Sequence, residues 1–209
     1  MKTKYLFWLI LIYGLLNACT PGVTRIPEIK DKFQGRTIKN PNGSSCIVKL
    51  DTIDQLTGAR ITELMPEQLF TFTHEQLSEF FKSKPLMVCF ARLSKVGTSN
   101  YFLELKFTIQ YARINLNYQG LTKGSKLQLR LINGESISLY CYENQAATSS
   151  TQNEKVYQGL YPVSRKELKK LQKYIMTDIG VHWNGGYENY EIHNIDFFKT
   201  QYDCLSQVK

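Results

Sequence analysis

The stretch KLQLRLINGESISLYCY, Lys126 to Tyr142, decides the fold. Two runs alternate apolar and polar residues on either side of Asn133-Gly134, and an Asn-Gly pair in that setting is a strong hairpin signal. A two-residue loop of Asn133 and Gly134 would set Leu131 opposite Ser136 and Leu129 opposite Ser138, an apolar face against a polar one. A three-residue loop, Ile132 to Gly134 with Gly134 in the left-handed region, sets Leu129 opposite Ile137 and Leu127 opposite Leu139. Side chains directly opposite share one face of a sheet, so only the second register builds an apolar face, and Cys141 falls on it.

Upstream, YFLELKFTIQY (Tyr101 to Tyr111) alternates in the same way. Tyr101, Leu103, Leu105, Phe107, Ile109 and Tyr111 point one way and Glu104, Lys106, Thr108 and Gln110 the other, as in a half-buried antiparallel strand. LMVCFARL (Leu86 to Leu93) is apolar on nearly both faces and reads as a central strand. CIVKLD and ARITEL are shorter strands around the turn DQLTG. Downstream, VYQGLYPV is a strand after the low-complexity stretch 144–155. DIGVHW and YENYEI flank a two-residue Asn184–Gly185 turn that pairs Ile179 with Tyr190.

Three segments carry helix signals. FTHEQLSEFFKSKP (Phe72 to Pro85) has a capping box of Thr73 and Gln76 and stops at Pro85. SRKELKKLQKYI (Ser164 to Ile175) has a capping box of Ser164 and Glu167 and a buried stripe of Leu168, Leu171 and Ile175. NIDFFKTQYDCLSQ (Asn194 to Gln207) places Asn194 as cap and Ile195, Phe198, Tyr202 and Leu205 on one face. About nine strands and three short helices, joined by hairpins rather than regular βαβ alternation, define an α+β class. It is predominantly antiparallel β, a sheet or sandwich with about three short helices at its edges.

The chain opens with the apolar run YLFWLILIYGLL, Tyr5 to Leu16. A bilayer-spanning helix needs about 20 such residues, so this run is short for a span and suits the apolar core of a signal peptide. Lys2 and Lys4 precede it, and Leu16-Asn17-Ala18-Cys19 follows. That tetrad resembles the lipobox of bacterial lipoprotein precursors. The resemblance implies that residues 1–18 are a leader removed before Cys19, that the Cys19 thiol carries diacylglycerol, and that a lipid-anchored tether, 19–44, leads into one globular domain, 45–209. Thr20, rather than an aspartate, after the cysteine is compatible with delivery to the outer membrane. Two or more acyl chains hold a protein firmly to a bilayer, which one chain alone does not. The implied location is the bacterial cell envelope, with the membrane as partner through Cys19.

The chain has 209 residues and a formal charge of +8; without the leader's two lysines and 18 residues it has 191 residues and a charge of +6. That length is one domain with a sizeable core. In an envelope the basic balance points to anionic lipid or a solvated surface rather than to nucleic acid. Four cysteines remain beyond Cys19, and spacing does not choose among their three full pairings. Position expects Cys46–Cys204, which lie near the two ends of the folded part. Cys89 lies within the most apolar strand and Cys141 on the apolar face with Ile137 and Leu139, positions where free thiols pack like small hydrophobes.

Chemistry-bearing motifs are sparse. His74-Glu75 opens an HExxH pattern, but Ser78 stands where the second zinc ligand belongs. No metal site, cofactor or catalytic residue is singled out, and the CxxC, GxSxG and phosphate-loop patterns are missing. The basic series Arg165, Lys166, Lys169, Lys170 and Lys173 occupies the polar side of a helix. It is either a solvated face or a patch for anionic lipid or an acidic partner. Trp183, Tyr187 and Tyr190 surround the Asn184–Gly185 turn with amides and a carboxylate between them. Such residues stack on and bond sugars, or they simply pack across strands. The functional expectation is a non-catalytic binding or structural module of the envelope, its partner another envelope protein or a glycan. The alternatives are a tethered carbohydrate-binding module that uses Trp183, Tyr187 and Tyr190, and a hydrolase built on the scattered histidines and acids.

Overall fold

The computed structural model describes residues 35–39, 45–110, 118, 120–144, 148–151 and 153–208. The leader 1–18, Cys19 and most of the tether lie outside the described residues. Twelve strands are described: β1 (Arg36–Lys39), β2 (Ser45–Ile53), β3 (Arg60–Leu64), β4 (Glu67–Phe72), β5 (Met87–Val96), β6 (Asn100–Gln110), β7 (Lys126–Leu131), β8 (Ser136–Tyr140), β9 (Thr148–Thr151), β10 (Glu154–Val163), β11 (Met176–Trp183) and β12 (Gly186–Glu191). Two α-helices accompany them, α1 (Arg165–Lys173) and α2 (Phe197–Gln207).

Every strand pairing is antiparallel. The larger sheet runs β1-β2-β3-β5-β6-β10-β9 with β4 also on β5, and the smaller runs β12-β11-β7-β8. The β7–β8 hairpin has the three-residue loop: Leu129 faces Ile137, Leu127 faces Leu139, and Gly134 has φ +82°. The β11–β12 hairpin has the two-residue loop, with Ile179 opposite Tyr190 and Trp183 opposite Gly186. The two sheets share one core. Phe107 of β6 meets Trp183 of β11 with ring centroids 4.8 Å apart, and Phe70 of β4 stacks on Tyr190 of β12 at 4.8 Å. Period-two alternation therefore became two apolar sheet faces laid together, a sandwich.

Several sequence expectations need correction. Among the described residues the strands number twelve, where the sequence reading expects about nine. β1 lies inside the stretch read as tether, β9 inside the low-complexity loop, and β4 was not foreseen. β5 is central by pairing, but only one of its faces is buried, and Phe90 on the other is exposed. The segment after β4 is not an α-helix: a 3-10 turn at Glu75–Leu77 is all that forms. The Thr73 hydroxyl, expected to cap that helix, instead accepts a hydrogen bond from the Leu86 amide at 2.9 Å, and Phe80 is 81% exposed. A long-range bond thus took the group on which the local capping signal relied.

α1 matches its signal, with the reciprocal Ser164–Glu167 capping box formed, but it ends at Lys173 and leaves Ile175 exposed beyond it. α2 begins at Phe197, not at Asn194. The Asn194 side-chain Nδ2 donates to Glu67 Oε2 at 3.0 Å, and Ile195 is exposed.

α2 buries Phe197, Phe198, Gln201, Cys204 and Leu205 against β5, β2, β1 and β3. Gln201 is the anomaly, a polar side chain only 1% exposed. The strand pairing explains it. β4 pairs with residues 87–91 of β5 and β3 with residues 94–96, so Leu93 lies at the gap between them. Gln201 Oε1 accepts from the Leu93 amide at 3.0 Å, while its Nε2 donates to Glu67 Oε1 at 2.5 Å. The glutamine plugs a break in the ladder that would otherwise strand a buried backbone donor. Beside it, Cys46 of β2 and Cys204 of α2 are joined by a disulfide with Cα atoms 6.3 Å apart, and Cys89 and Cys141 are free and buried.

Candidate functional site

The register of β11 and β12 divides the three aromatic residues of the suspected ligand face. Ile179, Val181 and Trp183 alternate onto the core side, and their partners Tyr190, Glu188 and Gly186 share it. Trp183 and Tyr190 are consequently 5% and 1% exposed, and neither belongs to a surface platform. Tyr187, an odd number of residues from Tyr190, lies on the outer side and is 43% exposed.

On the inner side the aromatics surround a carboxylate. Trp183 is met edge-on by Phe107, Tyr118 and Tyr157. Its indole N–H donates to the Tyr190 hydroxyl at 3.0 Å, and Tyr190 in turn donates to Glu188 Oε2 at 2.5 Å. Tyr118 donates to the same oxygen at 2.8 Å, and Tyr157 donates to the Tyr118 carbonyl at 2.5 Å. His74 Nε2 lies 3.9 Å from Glu188 Oε1, beyond a hydrogen bond. Burial first, and then the charge of Glu188, raises the Tyr118 phenol well above its usual range. Burial, followed by the nearness of Tyr118 and Glu188, does the same to Tyr190. Both therefore stay protonated donors at neutral pH. This knot was missed in the sequence. Its signal was parity: Glu188 falls opposite Val181 on a face otherwise apolar.

On the outer side, Tyr187 reclines over Gly180. A Cβ at Gly180 would fall 2.7 Å from Tyr187 Cε2, so the ring lies where a side chain would otherwise stand. Arg130 Nη2 donates to the Tyr187 hydroxyl at 3.2 Å, the hydroxyl donates to Asn189 Oδ1 at 3.4 Å, and His182 flanks the ring at 4.7 Å. The result is one exposed ring with polar side chains at its margin.

Among the described residues, α1 carries a dense run of positive charge. Successive residues of a helix are about 100° apart, so Arg165, Lys166, Lys169, Lys170 and Lys173 fall within an arc of about 140°. They line an open groove of ≈ 500 Å³. Glu135, from the β7–β8 loop, is the acid of this groove and takes Lys170 at 2.6 Å. Arg165 donates to the Thr98 carbonyl at 3.0 Å, and the Lys173 ammonium lies 4.8 Å from the centre of the Tyr174 ring. Glu167 is turned back to the helix start by the capping box.

Among the described residues, no group of three or more His, Cys, Asp or Glu side chains is placed to hold a metal ion, and no helix is long and apolar enough to cross a membrane. The class that fold and surface define is an antiparallel β-sandwich with two packed helices and a basic helical face. Comparison with protein-family models, curated proteins and solved structures finds no match.

Proposed function

We propose that this protein is a bacterial envelope lipoprotein, a non-catalytic binding module held at the outer membrane by lipid on Cys19. The observation that carries the reading is the Cys46–Cys204 disulfide. Thiols are kept reduced in the cytosol, and structural disulfides persist in oxidising compartments. The lipobox resemblance at Leu16–Cys19 gives the same compartment from an independent stretch of sequence. The binding role is supported by where polar chemistry is spent. Glu188 is engaged by two tyrosine hydroxyls within the domain, whereas the α1 cations and the Tyr187 ring face outward.

The test is metabolic labelling with a fatty-acid analogue in a bacterial host. The native chain takes up label and is cut before Cys19, and Cys19→Ala accumulates as unlabelled precursor. A Cys19→Ala chain that is still labelled and cut at the same bond refutes the reading.

A carbohydrate-binding module is a second reading, favoured by the Tyr187 ring with Arg130, Asn189 and His182 at its edge. It now rests on Tyr187 alone of the three aromatics. Tyr187→Ala should abolish retention on glycan or peptidoglycan affinity columns; retention that survives the substitution removes this reading.

A further inference from the structure

We propose that the basic groove along α1 docks the domain onto the anionic phosphate head groups of the leaflet that holds its anchor, an inference that rests on the envelope reading above. Three observations lead there. The first is charge: five cations line one open groove against Glu135 alone, so the groove is cationic, and polybasic faces are drawn to anionic lipid surfaces. The second is position. The tether enters the domain at β1, α2 packs on β1 and β2, and α1 packs on α2, with Gln172 of α1 donating to Asp203 of α2 at 3.1 Å. The basic face is one helix removed from the point where the chain arrives from its anchor.

The third is proximity. The stretch from Cys19 to Arg36 can span no more than about 60 Å at full extension, so the lipid confines the domain to the membrane surface. Under such confinement a patch need bind only weakly, because its second contact is intramolecular. A few unpaired lysines suffice to choose which side of the domain faces the bilayer. An acidic protein is the rival occupant. It fits less well because the groove is open and its charges are mostly flexible lysine point charges, which suit a fluid array of phosphates.

The chain from Thr20 onward, purified without lipid, contains all the described residues and is the material for the test. It is mixed with vesicles of phosphatidylcholine alone and of equal parts phosphatidylcholine and phosphatidylglycerol, and bound protein is measured by flotation. Binding is expected only to the anionic vesicles, and it should fall with added salt. Each lysine at such a surface is worth about fivefold in partitioning, so Lys169→Gln with Lys173→Gln should cost about 25-fold. Lys106→Gln with Lys123→Gln, the same loss of net charge at exposed sites elsewhere, should cost far less. All four lysines are exposed or end in solvent, so unchanged thermal melting marks both variants as folded.

Equal losses from the two pairs, or equal binding to neutral vesicles, overturns the proposal. So does failure to float together with capture of an acidic envelope protein that the Lys169/Lys173 variant no longer captures. Failure of the anchor reading shows separately, as loss of fatty-acid labelling at Cys19.

Discussion

Replacing Gln201 with leucine tests the account of how the larger sheet is closed. The swap keeps the volume roughly constant and removes both polar atoms. The Leu93 amide then loses its acceptor, and a buried donor left unpaired costs about 1–3 kcal/mol. Glu67 Oε1 loses a charge-assisted bond worth roughly 1.5–3 kcal/mol, softened because Asn194 still donates to Oε2. Against these stands a gain of order 1 kcal/mol from placing an apolar side chain in an apolar site. The expected net loss is about 2–4 kcal/mol. Urea unfolding of the oxidised protein measures it, and an unchanged dependence on denaturant would show that the folded and unfolded ensembles keep their compactness. Hydrogen exchange at the Leu93 amide supplies a local reading, since it should speed up more than its neighbours on β5. A variant within about 0.5 kcal/mol of wild type, with the Leu93 amide still protected, would mean that the ladder break is filled by other means.

Breaking the bridge with Cys204→Ser opens a loop with a sequence separation of 158, for which chain entropy gives about 5 kcal/mol; a shift below about 1 kcal/mol in chemical denaturation would contradict it. Gly134→Val should cost about 1–2 kcal/mol through backbone strain alone, because the site has open space for a side chain but φ of +82°; an unchanged melting temperature would refute the strained geometry. Tyr118, Tyr161 and Tyr190 have raised phenol pKa values in the fold, burial being the first cause of each. Below about pH 10 both folded and unfolded chains hold these protons, whereas above it only the folded chain does. Stability is therefore expected to fall as pH rises beyond about 10. A flat profile of unfolding free energy between pH 9 and 11 would contradict the burial of these hydroxyls.

Hairpins were legible because parity leaves no freedom: in β7–β8 a single register put leucine against isoleucine, and the fold adopted it. The same parity, applied across β12, would have separated Tyr187 from Tyr190 and brought Glu188 inward. The ligand face failed as a reading because the residues were grouped by nearness in sequence rather than by side of the sheet. β1 and β9 are polar edge strands, whose apolar pattern is too weak to announce them. β4 was hidden by Pro66 before it and by a capping signal after it, and the Leu86 amide overrode that signal from a distance. Gln201 could not be found in the helix pattern at all. Its burial answers a gap between two other strands, a need that exists only once the sheet has formed.

The positions of the four cysteines beyond Cys19 also bear on how the chain must mature. In a polypeptide delivered N-terminus first, Cys46 meets Cys89 and then Cys141 before its proper partner, Cys204, arrives. An oxidant acting on the emerging chain therefore encounters two wrong thiols ahead of the right one. The folded sandwich guards against this, since it buries Cys89 on β5 and Cys141 just after β8, whereas Cys46 lies where α2 brings Cys204 to it. Any condition that slows sheet assembly relative to oxidation should enrich mispaired species joining Cys46 to Cys89 or Cys141, so the yield of correctly bridged protein is set by a race between packing and sulfur chemistry.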